Sequence, residues 1–187
     1  MNTVYARPNR DLWLKFSWDL KNLPEYVPQL RPGMRLQKVA NPDLRAIWQV
    51  VKHAYEMDSS WNARLKDHLD AMSQAMHKGT KESKLIFTVL EDGRRPIGVS
   101  ILQPAPTNDS HFLTGICIQN EYRCRGYGTA LLYFNLKLLA ETGLVEACAL
   151  SRSGSTAARF LYPKFSSKSA PCQQADAALT VCGSPEK

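Results

Sequence analysis

The chain has no Cys-x-x-Cys pair, and its five cysteines are an odd number that a closed disulfide framework does not use. No two histidines take metal-ligand spacing, so no metal is expected. No apolar run approaches the ~20 residues of a membrane span. The opening Met-Asn-Thr-Val-Tyr-Ala-Arg-Pro lacks the apolar core of a signal peptide. These gaps imply a reduced, cytoplasmic protein without membrane contact. Internal repeats and low-complexity segments are missing too. The net charge of +7 comes without a basic run or tail, so it suits an anionic cofactor or acidic partner, not nucleic acid.

What is present is an ordinary globular composition. The 187 residues are 44% apolar and 22% charged, enough for one domain with a full core. Leu12, Leu14, Phe16, Trp18 and Leu20 alternate with more polar neighbours, a period of two that predicts a half-buried strand, read as an added edge strand. A proline-punctuated linker follows from Leu23-Pro24 to Pro32-Gly33. Residues 1–33 are therefore an N-terminal extension with an extra strand, and residues 34–187 the main domain. Met34 to Ala40 reads as a strand. Asn41-Pro42-Asp43 reads as a helix start, with Asn41 as cap, and Leu44, Ile47, Trp48, Val51 and Tyr55 mark one helical face. Trp61, Leu65, Leu69, Met72 and Met76 recur at helical spacing in a second helix. Lys84–Leu90 and Pro96–Gln103 flank an Asp-Gly hairpin turn.

The most informative stretch runs from His111 to Gly143. Phe112 to Ile118 is an apolar, β-branched run that predicts a buried strand. From Thr129 the apolar residues fall at helical spacing, and Thr142-Gly143 closes that helix. Between them stands Arg123-Cys124-Arg125-Gly126-Tyr127-Gly128. A strand feeding a helix through such a turn leaves first-turn N–H groups unpaired, at the positive end of the helix dipole. Two glycines let a ligand reach the backbone, and two arginines add charge. The product is a phosphate or pyrophosphate site. It is not a P-loop, since no Lys-Ser/Thr follows, and Leu131 stands where a dinucleotide fingerprint needs its last glycine or alanine. A later strand, Leu144–Leu150, leads to a turn where Ser155 or Thr156 can cap a short helix ending at Tyr162-Pro163.

Arg-x-x-Gly-x-Gly in this context resembles the acyl-coenzyme A signature of the GNAT superfamily of N-acetyltransferases, Gln/Arg-x-x-Gly-x-Gly/Ala. The lead-in Glu121-Tyr122-Arg123 is similar as well, and Ala158-Arg159-Phe160-Leu161-Tyr162 resembles that family's last helix. The likeness covers about Met34 to Phe165, and the N-terminal segment resembles the lead-in to the second half of tandem GNAT proteins. It implies an α/β (α+β) fold, a mixed, mostly antiparallel central sheet flanked by helices on both faces. It implies an acetyltransferase that uses acetyl-CoA and no metal, with acetyl passing to a primary amine by direct attack in a ternary complex. Ile116, Cys117 and Ile118 would pair through their main chain with the pantetheine arm. Arg123, Cys124, Arg125, Gly126, Tyr127, Gly128 and Thr129 would hold the pyrophosphate, and Tyr162 would protonate the leaving thiolate.

In that family the connector Tyr55–Trp61 walls the acceptor pocket, where Glu56 and Asp58 could attract a cationic amine. The acceptor is a small-molecule or peptide amine, and the protein a monomer or homodimer. No carboxylate stands in Phe112–Gln119 to act as base, which leaves His111, Glu56 or a water relay. Cys124 replaces a usual glycine, Ser151 a frequent asparagine, and Ser166-Ser167 a usual Gly-Phe. The tail offers one strand, Ala177 to Val181, where the family has a hairpin. The missing base and altered tail keep a second reading open, a catalytically silent acyl-CoA binding or sensing module.

Overall fold

Seven strands and three α-helices build two antiparallel sheets in a computed structural model of the chain, which describes residues 12–61, 64–106 and 108–172. The strands in chain order are β1 (Trp13–Asp19), β2 (Met34–Val39), β3 (Ile86–Asp92), β4 (Arg95–Leu102), β5 (Cys117–Ile118), β6 (Glu146–Arg152) and β7 (Lys168–Cys172). One sheet has the order β2-β3-β4-β5, the other β6-β1-β7. The helices are α1 (Leu44–Glu56), α2 (Leu65–Lys81) and α3 (Tyr127–Glu141).

Strand alternation decides which helix covers which face. Phe87, Val89, Val99 and Ile101 pack with Ile47, Val51 and Met76, so α1 and α2 cover one side of the first sheet. Leu90, Ile97 and Ile118 turn the other way onto Tyr127 and Leu131 of α3. A third cluster joins Leu132, Leu136 and Leu139 of α3 to Phe16 and Trp18 of β1 and Ala147 and Ala149 of β6. The result is the mixed α/β architecture with helices on both faces.

The N-terminal strand is not at an edge, as its composition suggested. It lies between β6 and β7, with Phe16 opposite Ala149 on one side and Ser169 on the other. Its main-chain groups are thus paired on both flanks, and Phe16 and Trp18 send their rings into the core. Among the described residues β6 and β7 are the end strands of this sheet, and β7 holds Pro171, which is tolerated because one flank needs no donor. Lys-Ser-Ala-Pro-Cys has no strand signature, so β7 escapes a reading by periodicity. The tail strand expected at Ala177–Val181 lies outside the described residues.

Smaller differences have local causes. Asp43, not Asn41, caps α1, because its Oδ1 accepts from the N–H groups of Arg45 (3.0 Å) and Ala46 (3.1 Å). Trp61 precedes α2, which begins at Leu65. The strand expected at Leu144–Leu150 is shifted to Glu146–Arg152. Helix α3 starts at Tyr127, two residues before its apolar periodicity, and Gly143 (φ 90°) follows its end as expected.

Candidate functional site

The run Phe112–Ile118 is not one strand, and the site begins with the reason. Phe112 bridges Leu102, and the Leu113 N–H donates to the Ile101 carbonyl (2.8 Å). Regular pairing resumes only with Cys117 opposite Val99. The outer strand has spent two more residues than β4 between these points, which makes a bulge. At its centre Gly115 takes φ +65°, and Thr114 fills the ladder with its own Oγ1, which accepts from the Ile101 N–H (3.0 Å). The glycine inside an apolar run was the sequence signal for this break.

Strands β5 and β6 belong to different sheets, yet they are joined at one end. The His111 N–H donates to the Cys148 carbonyl (2.8 Å), and the His111 Nδ1 accepts from the Cys148 N–H (3.0 Å). An imidazole nitrogen thus replaces the next backbone carbonyl. From that contact both chains run the same way and splay. A cavity of about 350 Å³ opens between them, lined by Leu113–Ile118 on one side and Leu150–Arg152 on the other.

One mouth of this cleft is the start of α3. Gly126 is the cap residue at φ 82°, no side chain caps the helix, and the cleft is lined there by Arg123, Cys124, Gly126, Gly128 and Thr129. A Cβ on Gly126 would meet nothing within 4 Å, so the space beside this helix end is open. Cys124, at φ 58°, adopts the left-handed conformation that glycine takes at less cost. Arg123 ties the turn down, since its Nη2 donates to the Ala54 carbonyl (2.8 Å) in the last turn of α1 and its Nε to the Ile118 carbonyl (3.2 Å). Arg125 stacks at 6.0 Å on the exposed side of the turn, over the ring of Tyr122.

At the throat lies Tyr162, 2% exposed. A π-helical turn, Ala157–Leu161, delivers it, and the Ser155 Oγ accepts from the Ala158 N–H (3.0 Å) to start that turn. Its ring is caged by Phe16 (5.4 Å), Trp18 (5.7 Å) and Phe112 (6.4 Å). Its hydroxyl sits at the bulge: a Cβ on Gly115 would come within 2.8 Å of it, and the Ile116 N–H hydrogen-bonds to it. Burial pushes the phenol well above its usual range, nearby Cys117 adds to this, and the Ile116 N–H opposes it only in part. The group therefore holds its proton. Burial likewise raises the Cys117 thiol to about 12, so it is no nucleophile, and its Sγ donates to the Thr114 carbonyl (3.3 Å).

The other end of the cavity is aromatic. Trp13 of β1, Tyr55 of α1, Trp61 of the connector and His68 of α2 all line it. Trp61 stacks on His68 with 4.3 Å between centroids, and Tyr55 lies 5.5 Å from Trp61. Arg152, at the end of β6, places its Cζ 5.0 Å from the Trp61 ring centroid. Asp58 also lines this end, with its Oδ1 accepting from the Ser60 N–H (2.9 Å).

The residues singled out from sequence are thus distributed unevenly. Ile116, Cys117, Ile118, Arg123, Cys124, Gly126, Gly128, Thr129, Asp58 and Tyr162 line one cavity. Tyr127 is buried against Leu131 and Ile118, and only its backbone faces the helix start. Glu56 does not line the cavity and pairs with Lys52 (3.7 Å) on the surface. His111 has its Nδ1 engaged at the closed end of the splay. Trp13, His68 and Arg152 were not singled out for the site, because they come from three distant elements and no local spacing joins them. Among the described residues no cluster of three metal-ligating side chains occurs, and no helix is long and apolar enough to cross a membrane.

A sheet split between two diverging strands, a bulge on one of them and an open helix start at the mouth define the N-acetyltransferase type of α/β fold. The chain belongs to the acetyltransferase (GNAT) family, whose model matches residues 44–166. Similar folds include a GCN5-related N-acetyltransferase from Sphaerobacter thermophilus, with TM-score 0.60, 17% identity, and 87% of this chain and 50% of that one covered. Another is a GCN5-related N-acetyltransferase from Kribbella flavida, with TM-score 0.54, 14% identity, and 86% and 55% covered. A functionally unknown conserved protein from Staphylococcus epidermidis matches with TM-score 0.53, 12% identity, and 86% and 58% covered. The chain thus spans roughly half the length of these relatives, with which it shares a fold. No curated protein matches it.

Proposed function

We propose that the protein transfers an acetyl group from acetyl-CoA to a primary amine, by direct attack in a ternary complex. The observation that carries this reading is the Tyr162 hydroxyl held against the Gly115–Ile116 bulge, inside a cleft whose mouth is an uncapped helix start. Acetyl-CoA would lay its pyrophosphate on the backbone from Gly126 to Thr129, and the pantetheine arm would pair along Ile116–Ile118. These residues fit such a ligand because Gly126 leaves open space and β5, among the described residues, is paired on one side only.

The amine nitrogen then attacks the thioester carbonyl, the C–S bond breaks, and coenzyme A leaves as thiolate. Tyr162 donates its proton to that sulfur. The Ile116 N–H, outside the ladder at the bulge, donates to the Tyr162 hydroxyl and orients it towards the sulfur. A lysine-like amine, with reference pKa ~10.4, must shed a proton before attack. That proton leaves through water in the open cavity.

Calorimetry with acetyl-CoA and a thiol-release assay over an amine panel test this. Binding plus turnover is expected. The alternative, a silent acyl-CoA binding module, draws on Asp58 being the sole carboxylate among the described cavity-lining residues and being engaged by Ser60. Binding without turnover of any amine would favour it.

A further inference from the structure

Two phenols stand at the Gly115 bulge, and their hydrogen bonds give them opposite roles. A Cβ on Gly115 would lie 2.8 Å from the Tyr162 hydroxyl oxygen and 4.0 Å from that of Tyr55. Both oxygens thus reach one point of the cavity wall, which Tyr55, Gly115 and Tyr162 all line. A tyrosine hydroxyl has one hydrogen to give and lone pairs to receive. At Tyr162 the Ile116 N–H occupies a lone pair, which leaves the hydrogen to donate. At Tyr55 the hydrogen is committed, since the hydroxyl donates to the Thr114 carbonyl (3.1 Å). Among the described residues nothing donates to the Tyr55 oxygen, so what it offers the cavity is an acceptor. Its position is fixed. The ring packs on Trp61 (5.5 Å) and His68 (5.4 Å), and Arg123 holds the neighbouring Ala54 carbonyl (2.8 Å). Burial, with Cys117, Tyr162 and Asp58 nearby, pushes the Tyr55 phenol well above its usual range, so it keeps its proton and is not a base.

Resting on the acetyl-transfer reading above, we infer that Tyr55 binds the attacking nitrogen: its oxygen accepts one N–H of the acceptor amine at the Gly115 bulge and so turns the nitrogen lone pair to the thioester carbon. The attacking nitrogen and the leaving sulfur are substituents of one tetrahedral carbon in this reaction. Groups that serve them must stand close together, as the two phenol oxygens do at Gly115. Their tasks differ. Tyr162 gives a proton to the sulfur, whereas Tyr55 takes none. The N–H bonded to Tyr55 stays on nitrogen, and the proton lost in the transfer goes to water. The gain is one of orientation, in which a single hydrogen bond fixes the direction of approach. Glycine at 115 serves both tyrosines, because a side chain there would meet both oxygens.

The test offers ethylamine, 2-phenylethylamine, spermidine and glycinamide with acetyl-CoA and follows the one turned over fastest. Tyr55→Phe should lower kcat/KM for that amine by about five- to tenfold, with the calorimetric affinity for coenzyme A within about twofold of wild type. That variant also removes the bond to Thr114, so Tyr55→3-fluorotyrosine separates the two roles. Ring fluorine makes the hydroxyl a stronger donor and its oxygen a weaker acceptor. A tyrosine that only braces Thr114 would keep both its melting temperature and its turnover. A tyrosine that accepts the N–H should keep the melting temperature but lose about two- to threefold in kcat/KM. Unchanged kcat/KM in either variant overturns the inference. Should none of the amines turn over, calorimetry of all four on the coenzyme A-loaded protein decides separately. Binding that weakens in Tyr55→Phe supports the nitrogen site while sinking the transfer reading. Equal binding to wild type and variant, or no binding to wild type, overturns the site.

Discussion

At the scale of single residues, three positions separate chemistry from scaffolding. Tyr162 is held by rings on three sides and by a backbone N–H at its oxygen, so removing only the oxygen tests its role. Tyr162→Phe should lower kcat by about 10²-fold while leaving the calorimetric affinity for acetyl-CoA unchanged. Gly115→Ala should be worse for the fold. It forces a side chain into φ +65° and puts a methyl 2.8 Å from the Tyr162 hydroxyl, so both the melting temperature and turnover should drop. Cys124→Gly should act oppositely. It relieves a left-handed strain of roughly 1–2 kcal/mol against an entropic cost of roughly 0.5–1 kcal/mol. A small rise in the denaturation midpoint is the expected reading. His68 supplies a pH dependence. Its folded pKa, about 4, lies below the unfolded 6.5, so the unfolded chain binds the proton more readily. Stability should fall as pH drops from about 6.5 towards 4, by roughly 1–2 kcal/mol after allowance for solvent. Denaturant curves at pH 7.5 and 4.5 should show a smaller loss in His68→Phe than in wild type.

At the scale of elements, legibility followed local patterning. The start of α3 could be read because its glycines and arginines are consecutive, and the α3 stop because Gly143 follows Thr142 directly. Strand β1 announced itself by alternation, but alternation says only that one face is buried, not how many neighbours a strand has. Its interior position depends on β6 and β7, which lie more than a hundred residues away. The bulge was missed: Phe112–Ile118 was read as one strand although Gly115 stands inside it, and the substitution of Thr114 Oγ1 for a ladder group does not show in any pattern. Nor did Arg123, read as a pyrophosphate ligand, reveal that its guanidinium would brace α1. Strand β1 also props the site, since Trp18 is fully buried, touches Tyr162 and donates from Nε1 to the Lys164 carbonyl (2.8 Å). Trp18→Ala should cost about 3–5 kcal/mol, read from equilibrium unfolding, because a large cavity opens and a buried carbonyl loses its partner.

At the scale of the whole molecule, the two sheets are joined through His111 and Cys148, by one backbone bond and one imidazole-to-backbone bond. The cleft lies where the end strand of one sheet, β5, faces the end strand of the other, β6. Both ends of the chain's described part converge on this arrangement. Trp13 and Trp18 come from the first strand, and β7 completes the outer side. The threading of β1 between β6 and β7 also sets an order of events at the ribosome. Trp13–Asp19 leaves the exit tunnel before its partners, which, from Glu146 onward, are translated about 130 residues later. At about 5–20 residues per second, that is a wait of roughly 6–25 s. For that interval a ribbon carrying two tryptophans and a phenylalanine is without its lattice of partners, and nascent-chain chaperones have time to act on it.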